Sequence, residues 1–310
     1  MMAEPNFSTI SGKKRLEGIL MSFTAVFFHL LLLGSVQQAD SFVLNSTQPS
    51  APLRVALFNI RSFGKTKMSR PETVKNLVRI MKRYDVVFVM ETRDAGMTSL
   101  TQLRTALGYT QWNYTASIPI GRSTYKEQYV YWYRPAAVKL LQASVYDDDA
   151  WDNFEREPYM AQFQYWSHSA RSEIKVTLVG IHIKPAVVVE ELEHLPKVIS
   201  SAKKVFPDSD GIVVMGDFNA DCRYMNDVER SEPSLLNTPT KYISYVGDAA
   251  DTTVSHNTDC AYDRLVVPSQ GQPEVKVANV KVFDFEKALG LSFEAAHDVS
   301  DHYPVEFTLE

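Results

Sequence analysis

Two short segments, far apart in the chain, hold the residues best suited to chemistry. Met215-Gly216-Asp217-Phe218-Asn219-Ala220-Asp221 closes an apolar run, and Ser300-Asp301-His302-Tyr303-Pro304 precedes the last one. Together they offer carboxylates, an amide and an imidazole. Such a set can hold a divalent metal and a phosphate and can move a proton between them. Glu91 follows the apolar Val86-Val87-Phe88-Val89-Met90, and Asn59 lies at the end of another apolar run. Hard divalent ions take oxygen ligands, usually one or two carboxylates with water and substrate phosphate. Glu91, Asp217 and Asp301 are the acids placed for this. Any one of them alone would read as a helix cap or a surface acid, but three at the ends of three buried strands point to function.

Two histidines sit at similar edges. His182 follows Val179-Gly180-Ile181, and His302 lies in the second segment. Two imidazoles permit a division of labour, one deprotonating an attacking water and the other protonating a leaving oxygen. Each needs a carboxylate to fix its tautomer and raise its basicity. Glu127 and Asp263 are the acids available in the other strand-edge segments. His168, His194, His256 and His297 lie in polar stretches and read as surface residues.

The elements that must position these groups follow from apolar periodicity. Residues 53–60 form a buried strand. Residues 72–83 form an amphipathic helix with Val74, Leu77, Val78 and Met81 on one face. Residues 85–90 form a nearly continuous apolar strand, and 99–107 a second helix. Residues 128–133 and 138–145 suggest a hairpin around Arg134-Pro135. Strands are expected over 159–165, 174–183, 212–215, 262–267, 274–282 and 305–309, with a helix over 190–205. Helices alternate with strands in both halves and no linker divides them. The expected fold is one α/β domain of two packed sheets with helices outside. In such folds, polar residues at strand C-termini crowd one edge, and Asn59, Glu91, His182, Asp217, Asn219 and His302 are expected there.

Composition limits the partners. The formal net charge is −5, so no global positive field draws in nucleic acid, and local Arg and Lys must do the attracting. At the N-terminus, Lys13, Lys14 and Arg15 precede an apolar run over 19–36, and Ala39-Asp40-Ser41 fits a small-x-small cleavage pattern. Residues 1–41 read as a secretory signal with a long leader rather than the alternative, an uncleaved membrane anchor, because the run holds His29 and Ser22 and ends in a processing-like site. Residues 42–52 read as a lead-in and 53–310 as the catalytic domain. The expected product is an extracellular protein without stable membrane association. An oxidising compartment favours pairing of Cys222 with Cys260, the only two cysteines. Asn45 and Asn113 begin glycosylation triplets.

Seven ordered segments carry a resemblance. They are Phe58-Asn59-Ile60-Arg61-Ser62-Phe63-Gly64, Glu91-Thr92-Arg93-Asp94, Gly121-Arg122-Ser123-Thr124-Tyr125-Lys126-Glu127, Arg156-Glu157-Pro158, Gly216-Asp217-Phe218-Asn219-Ala220-Asp221-Cys222, Cys260-Ala261-Tyr262-Asp263-Arg264 and Ser300-Asp301-His302-Tyr303-Pro304-Val305-Glu306. Over residues 53–310 the chain resembles the secreted deoxyribonuclease I family of the endonuclease/exonuclease/phosphatase superfamily. The resemblance implies a four-layered α/β/β/α sandwich that cleaves double-stranded DNA with Mg²⁺ (or Mn²⁺) and Ca²⁺. It implies His182 paired with Glu127 and His302 paired with Asp263. Asn59, Glu91, Asp217, Asn219 and Asp301 would hold metal and scissile phosphate. Arg93, Arg122, Tyr125 and Arg156 would line the DNA, with Arg93 and Tyr125 suited to the minor groove. Cys222–Cys260 matches the family's structural disulfide. Two structural calcium sites carry over, one on Asp251, Thr253 and Thr258, the other on Asp148, Asp152, Glu157 and the Phe154 carbonyl.

The chain also departs from the family pattern. The acidic loop lacks the family's second small disulfide and is shorter. His182 is followed by Ile183-Lys184-Pro185 where small or hydroxylated residues are usual. Ile183 is expected to narrow the phosphate pocket and Lys184 to add a phosphate contact. Actin binding is not carried over, and a monomer is expected. The competing readings are a phosphoesterase for a sphingolipid or inositol phosphate, which the Arg and Tyr set argues against, and an inactive binding homologue, which the complete catalytic set argues against.

Overall fold

Period-two burial builds the strands of this protein. In the computed structural model, which describes residues 51–148, 152–272 and 275–310, Val55 and Leu57 face one core while Ala56 and Phe58 face another. A strand buried on both faces reads as a continuous apolar run, and residues 86–90 show the same pattern. The strands are β1 (Leu53–Phe63), β2 (Val86–Thr92), β3 (Asn113–Ala116), β4 (Gln128–Tyr133), β5 (Val138–Val145), β6 (Tyr159–Ser167), β7 (Ser172–His182), β8 (Gly211–Asp217), β9 (Tyr242–Ser244), β10 (Asp263–Pro268), β11 (Val277–Val282) and β12 (Val305–Leu309). The helices are α1 (Lys65–Met68), α2 (Pro71–Met81), α3 (Thr98–Leu107), α4 (Val188–Val205), α5 (Asp227–Ser231), α6 (Phe285–Leu289) and α7 (Phe293–Val299).

Two six-stranded sheets result. The first runs β11-β12-β1-β2-β4-β3 and the second β5-β6-β7-β8-β10-β9. Their facing sides share a core that includes Leu57, Phe88, Tyr131, Phe163, Leu178 and Met215. The outer face of the first sheet packs on α2, α3 and α7 through Phe58, Val87, Leu77, Leu103 and Val299. The outer face of the second packs on α4 through Val179, Ile181, Leu192 and Leu195. Each such side chain, fully buried, stabilises by about 1.5–3 kcal/mol. This is the expected α/β/β/α sandwich. At Gly180 the sheets approach so closely that an added Cβ would lie 2.2 Å from the Phe88 ring.

The expected hairpin between residues 128–133 and 138–145 does not form. β4 is held in the first sheet by β2 and β3, whereas β5 pairs with β6 in the second. The turn is a crossing between layers. It is fixed by the Arg134 guanidinium, which donates to the carbonyls of Tyr84 (3.0 Å) and Lys82 (2.9 Å). The strand expected over 274–282 is observed as β11 from Val277 to Val282, and residue 274 lies outside the described residues.

Strand direction explains where the polar residues collect. β1 and β2 run parallel, as do β7 and β8, so their C-terminal ends share one edge. β12 and β10 are antiparallel to β1 and β8, so their beginnings reach the same edge. His302 therefore arrives ahead of a strand rather than at the end of one, and Asp263 opens β10 opposite Asp217. Residues 1–50, with the expected signal, its cleavage site and Asn45, lie outside the described residues. Among the described residues no helix is long and apolar enough to cross a membrane.

Candidate active site

At this edge the backbone leaves regular strand geometry. The β1–β2 register breaks after Asn59 and Met90. Arg61, Ser62 and Glu91 then have φ of 27°, 51° and 57°, and Asn219 has φ 51°. Left-handed backbone at non-glycine residues costs about 1–3 kcal/mol each and persists where the surroundings enforce it. Here the enforcement is visible. Ser62 N–H donates to Glu91 Oε2 (2.9 Å), Arg61 N–H to Asn59 Oδ1 (2.9 Å), and Asn219 N–H to Asp217 Oδ1 (3.0 Å). Gly216 (φ 154°) lets β8 lie against β7, since a Cβ there would sit 1.8 Å from the Ile181 carbonyl oxygen.

Asp217 is the centre of the site. Its Oδ2 accepts from Asn59 Nδ2 (3.0 Å) and faces His182 Nε2 (3.5 Å) and His302 Nε2 (3.6 Å). Each imidazole is held from behind through Nδ1, His182 by Glu127 Oε1 (3.0 Å) and His302 by Asp263 Oδ2 (2.7 Å). Both carboxylates are buried. Both rings thus direct Nε2 at one carboxylate oxygen. The expected couples are both present in the geometry.

The electrostatics follow from these contacts. Burial alone would raise the Asp217 pKa, but His302, His182 and hydrogen bonds from Asn59 and the Asn219 N–H hold it below the ordinary value. Burial opposes the ionised form of Glu127 too, yet His182 and Arg156 keep its pKa low. For His182, burial is outweighed by Glu127, with Asp217 adding to it and Arg156 opposing, so the pKa is raised. For His302, burial is outweighed by Asp263 and Asp217, and the pKa stands well above 6.5. Burial raises Asp263 in turn. Both shifts in the His302–Asp263 couple favour keeping a proton there.

The candidate metal ligands gather beside this centre. Asn59 Nδ2 donates to Glu91 Oε1 (3.1 Å) as well as to Asp217, so one amide joins the two acids. Asp301 Oδ2 lies 3.6 Å from Arg61 Nε, and its buried Oδ1 has no partner. No group of three or more His, Cys, Asp or Glu among the described residues is arranged to hold an ion. Two linked carboxylates with an orphaned carboxylate oxygen nearby nonetheless suit a magnesium-type ion, which completes its shell with water and substrate oxygens. Asn219 Nδ2 donates to the Ile183 carbonyl (3.0 Å), which fixes its amide next to Asp217.

The four DNA candidates separate into two kinds. The Arg93 guanidinium stacks over the Tyr125 ring at 3.9 Å, and Tyr125 is 42% exposed. Arg122 is exposed and pairs with Asp152 (2.8 Å). Arg156 is buried instead. Its Nε and Nη2 donate to the His182 carbonyl (3.0 and 2.8 Å), and Nε lies 3.5 Å from Glu127. It braces the His182 couple from behind. Ile183 does not narrow a phosphate pocket. It is wholly buried in the core under α4, because residues adjacent in a strand face opposite sides. Lys184 pairs with Glu155 Oε2 (2.7 Å) rather than standing free for phosphate. His194 is not a plain surface residue, since it is half-buried on α4 against Phe154.

Around the site, Asp251 Oδ1 accepts from Thr253 N–H (2.9 Å) and Oγ1 (2.8 Å), and Thr253 Oγ1 donates to the Thr258 carbonyl (3.3 Å), so this trio is assembled. In the acidic loop, Asp148 accepts from Phe154 N–H and Asn153 Nδ2, both at 2.8 Å. Glu157 is half-buried. Residues 149–151 of that loop lie outside the described residues. Cys222 and Cys260 form a disulfide. Asn113 is half-buried on β3, with Oδ1 accepting from Tyr114 N–H (3.0 Å). Several supporting groups escaped the sequence reading. Tyr129 accepts from His182 N–H (2.8 Å), Thr252 accepts from Asp263 N–H (3.2 Å), and Ser300 donates to the Asn59 carbonyl (2.6 Å). Hydroxyls in apolar or loop sequence give no periodic signal, so nothing short of the fold could have found them.

Residues 56–302 match the endonuclease/exonuclease/phosphatase family. Deoxyribonuclease-1 of Canis lupus familiaris is 40% identical over 272 residues, covering 85% of this chain and 93% of that protein. Deoxyribonuclease-1 of Bos taurus is 39% identical over 265 residues, covering 83% and 92%. The chain is a deoxyribonuclease I-like member of the endonuclease/exonuclease/phosphatase family. Solved structures share the fold. An endonuclease/exonuclease/phosphatase from Bacteroides vulgatus superposes with TM-score 0.56 at 18% identity, covering 84% of this chain and all of that one. The human Nocturnin catalytic domain superposes with TM-score 0.55 at 12% identity, covering 84% and 94%. At such identities only the architecture is shared.

Proposed function

We propose that this family member is a secreted, divalent-metal-dependent endonuclease that hydrolyses phosphodiester bonds of double-stranded DNA with low sequence specificity, leaving 5′-phosphate ends. The observation that carries the reading is the convergence of two carboxylate-backed imidazoles on Asp217 Oδ2, in a chain about 40% identical to deoxyribonuclease-1. A water and a scissile phosphate seated against this centre would meet an imidazole on either side. One imidazole takes the proton of the attacking water, and the other protonates the departing 3′ oxygen. Glu127 and Asp263 hold each Nδ1 and stabilise the imidazolium. The Asn219 amide spends one N–H on the Ile183 carbonyl and offers the other to a phosphate oxygen as a preorganised donor. Both N–H groups of Asn59 are held by Glu91 and Asp217, so Asn59 orients the two carboxylates.

Glu91 and Asp217, with Asp301 alongside, would hold Mg²⁺ or Mn²⁺, which neutralises phosphate charge when bound. Asp251, Thr253 and Thr258, and the loop of Asp148, Asp152, Phe154 and Glu157, are the proposed structural Ca²⁺ positions. The Arg93–Tyr125 stack is a flat cationic wedge suited to the minor groove, where readout is degenerate. Low sequence specificity follows.

The test is plasmid nicking by purified protein with Mg²⁺ and Ca²⁺ varied separately. His302→Ala in folded protein should lower the rate by about 10²–10⁴-fold, and excess chelator should abolish it. Undiminished nicking by the variant overturns the assignment. Turnover of sphingomyelin in place of DNA would move the protein to another phosphoesterase class.

A further inference from the structure

Lys67 is a buried cation that the chemistry above does not use. It lies in the single turn of α1 with 8% of its surface exposed. Its Nζ donates to the Ile60 carbonyl (3.1 Å) and to the Val299 carbonyl. Ile60 follows Asn59, and Val299 is three residues before His302. Ser300 makes a second link across the same gap. Its buried hydroxyl donates to the Asn59 carbonyl (2.6 Å) and accepts from His302 N–H (3.1 Å). Two polar side chains therefore stitch the irregular end of β1 to the loop that delivers Asp301 and His302. No β-ladder spans this place, because the β1–β12 pairing reaches only Leu57 and Val305.

We infer that Lys67 and Ser300 are positioning residues, a clasp that sets Asn59 and His302 in register on either side of Asp217. The inference rests on the proposed phosphodiesterase reading of the site. An ammonium has three donors and no acceptor, so one Lys67 side chain can satisfy carbonyls from two segments at once, which an uncharged apolar residue cannot. A misplacement of about 1 Å at a reacting centre costs on the order of 10²-fold in rate, and the clasp acts on that scale. The rival role is a direct phosphate contact, since Lys67 also lines a cavity of about 890 Å³ together with Arg61, Lys65, Arg70 and Arg93.

Lys67→Met keeps the length of the side chain and removes its donors. Cleavage of a defined duplex should show kcat lower by about 10²-fold with DNA affinity within twofold of wild type. A separate readout needs no activity. In ¹H–¹⁵N spectra of the full chain, the His302 ring resonances should shift while those of His182 stay in place. Ser300→Ala, a smaller change, should move the same His302 signals and lower kcat in the same direction, and it serves if Lys67→Met does not fold. Loss of affinity with unchanged kcat assigns Lys67 to phosphate and overturns the clasp. Unmoved His302 signals in the folded variants overturn it as well. If wild-type protein fails to cleave DNA while the His302 signals still shift, the substrate reading falls and the clasp stands.

Discussion

The two histidine couples look alike in plan and differ in what surrounds them. His182–Glu127 is packed against a cation. Arg156 donates twice to the His182 carbonyl and lies 3.5 Å from Glu127, and it lowers the carboxylate pKa while opposing protonation of the imidazole. Among the described residues no cation donates a hydrogen bond to the His302–Asp263 couple. Buried Arg264, next to Asp263 in the chain, acts on it through charge and is held by Asp248 and the Val246 and Ala220 carbonyls. The couple's support comes from hydroxyls, with Thr252 accepting from Asp263 N–H and Ser300 from His302 N–H. Burial pushes Asp263 up, and Asp263 and Asp217 hold His302 well above 6.5. One couple is biased toward an ionised carboxylate and the other toward keeping a proton. Environments that push paired titratable groups apart are how one site obtains both an acid and a base.

The strongest way to break this contrast is to neutralise each partner acid. Glu127→Gln and Asp263→Asn should each lower kcat by about 10³-fold, within the range that a general acid or base contributes. Their pH–rate profiles should differ. The Asp263→Asn profile should lose its alkaline limb at a lower pH, because His302 depends on that acid for its raised pKa. Identical profiles would erase the distinction between the couples.

A smaller effect is expected at Arg156. If it braces the His182 couple, Arg156→Met should lower kcat by about 10²-fold and leave the Kd for duplex DNA nearly unchanged. A rise in Kd with kcat intact would return Arg156 to the DNA-facing set with Arg93 and Tyr125.

The smallest effect is on stability, read from thermal melting against pH in chelator. His182 and His302 have raised folded pKa values, so each stabilises fully below about 6.5 and loses that contribution as pH rises through its folded value. Glu127 and Asp217 are depressed, so their contributions are present above their ordinary values of 4.5 and 3.8 and are lost as pH falls through the folded ones. Tm should peak between about 4.5 and 6.5 and fall on both sides, by about 2–4 °C per kcal/mol for a domain of this size. On the alkaline side His302→Asn should remove the later part of the decline and His182→Asn the earlier part. A Tm that is flat from pH 6 to 9 would contradict the raised imidazoles.

Much of this geometry was legible in the sequence, for reasons that also explain the failures. The buried strands announced themselves as apolar runs, and each delivered its polar residue to one edge because β1, β2, β7 and β8 point the same way. Periodicity says that a strand exists but not which sheet receives it, so 128–133 and 138–145 looked like a hairpin while belonging to different layers. Ile183 could have been placed correctly from alternation alone, since His182 faces the site and its neighbour must face the other way. Arg156 could not, because it is held by one backbone carbonyl, which leaves no mark in sequence, and by a Glu127 side chain that only the fold brings near. Lys67 and Ser300 were invisible for the same reason.

The division of the site between layers has a consequence for how the protein is made. Glu127 and His302 come from segments that feed the first sheet, and His182 and Asp263 from strands of the second. Each couple therefore bridges the sandwich, and neither layer alone owns a working acid–base pair. The second sheet is built from the continuous middle of the chain, while the first takes β1–β4 from one end and β11 and β12 from the other. On a ribosome the middle layer can be complete while its partner still lacks the strand that inserts between β1 and β11. The cutting centre closes only after His302 has emerged and the last strand has been threaded into place.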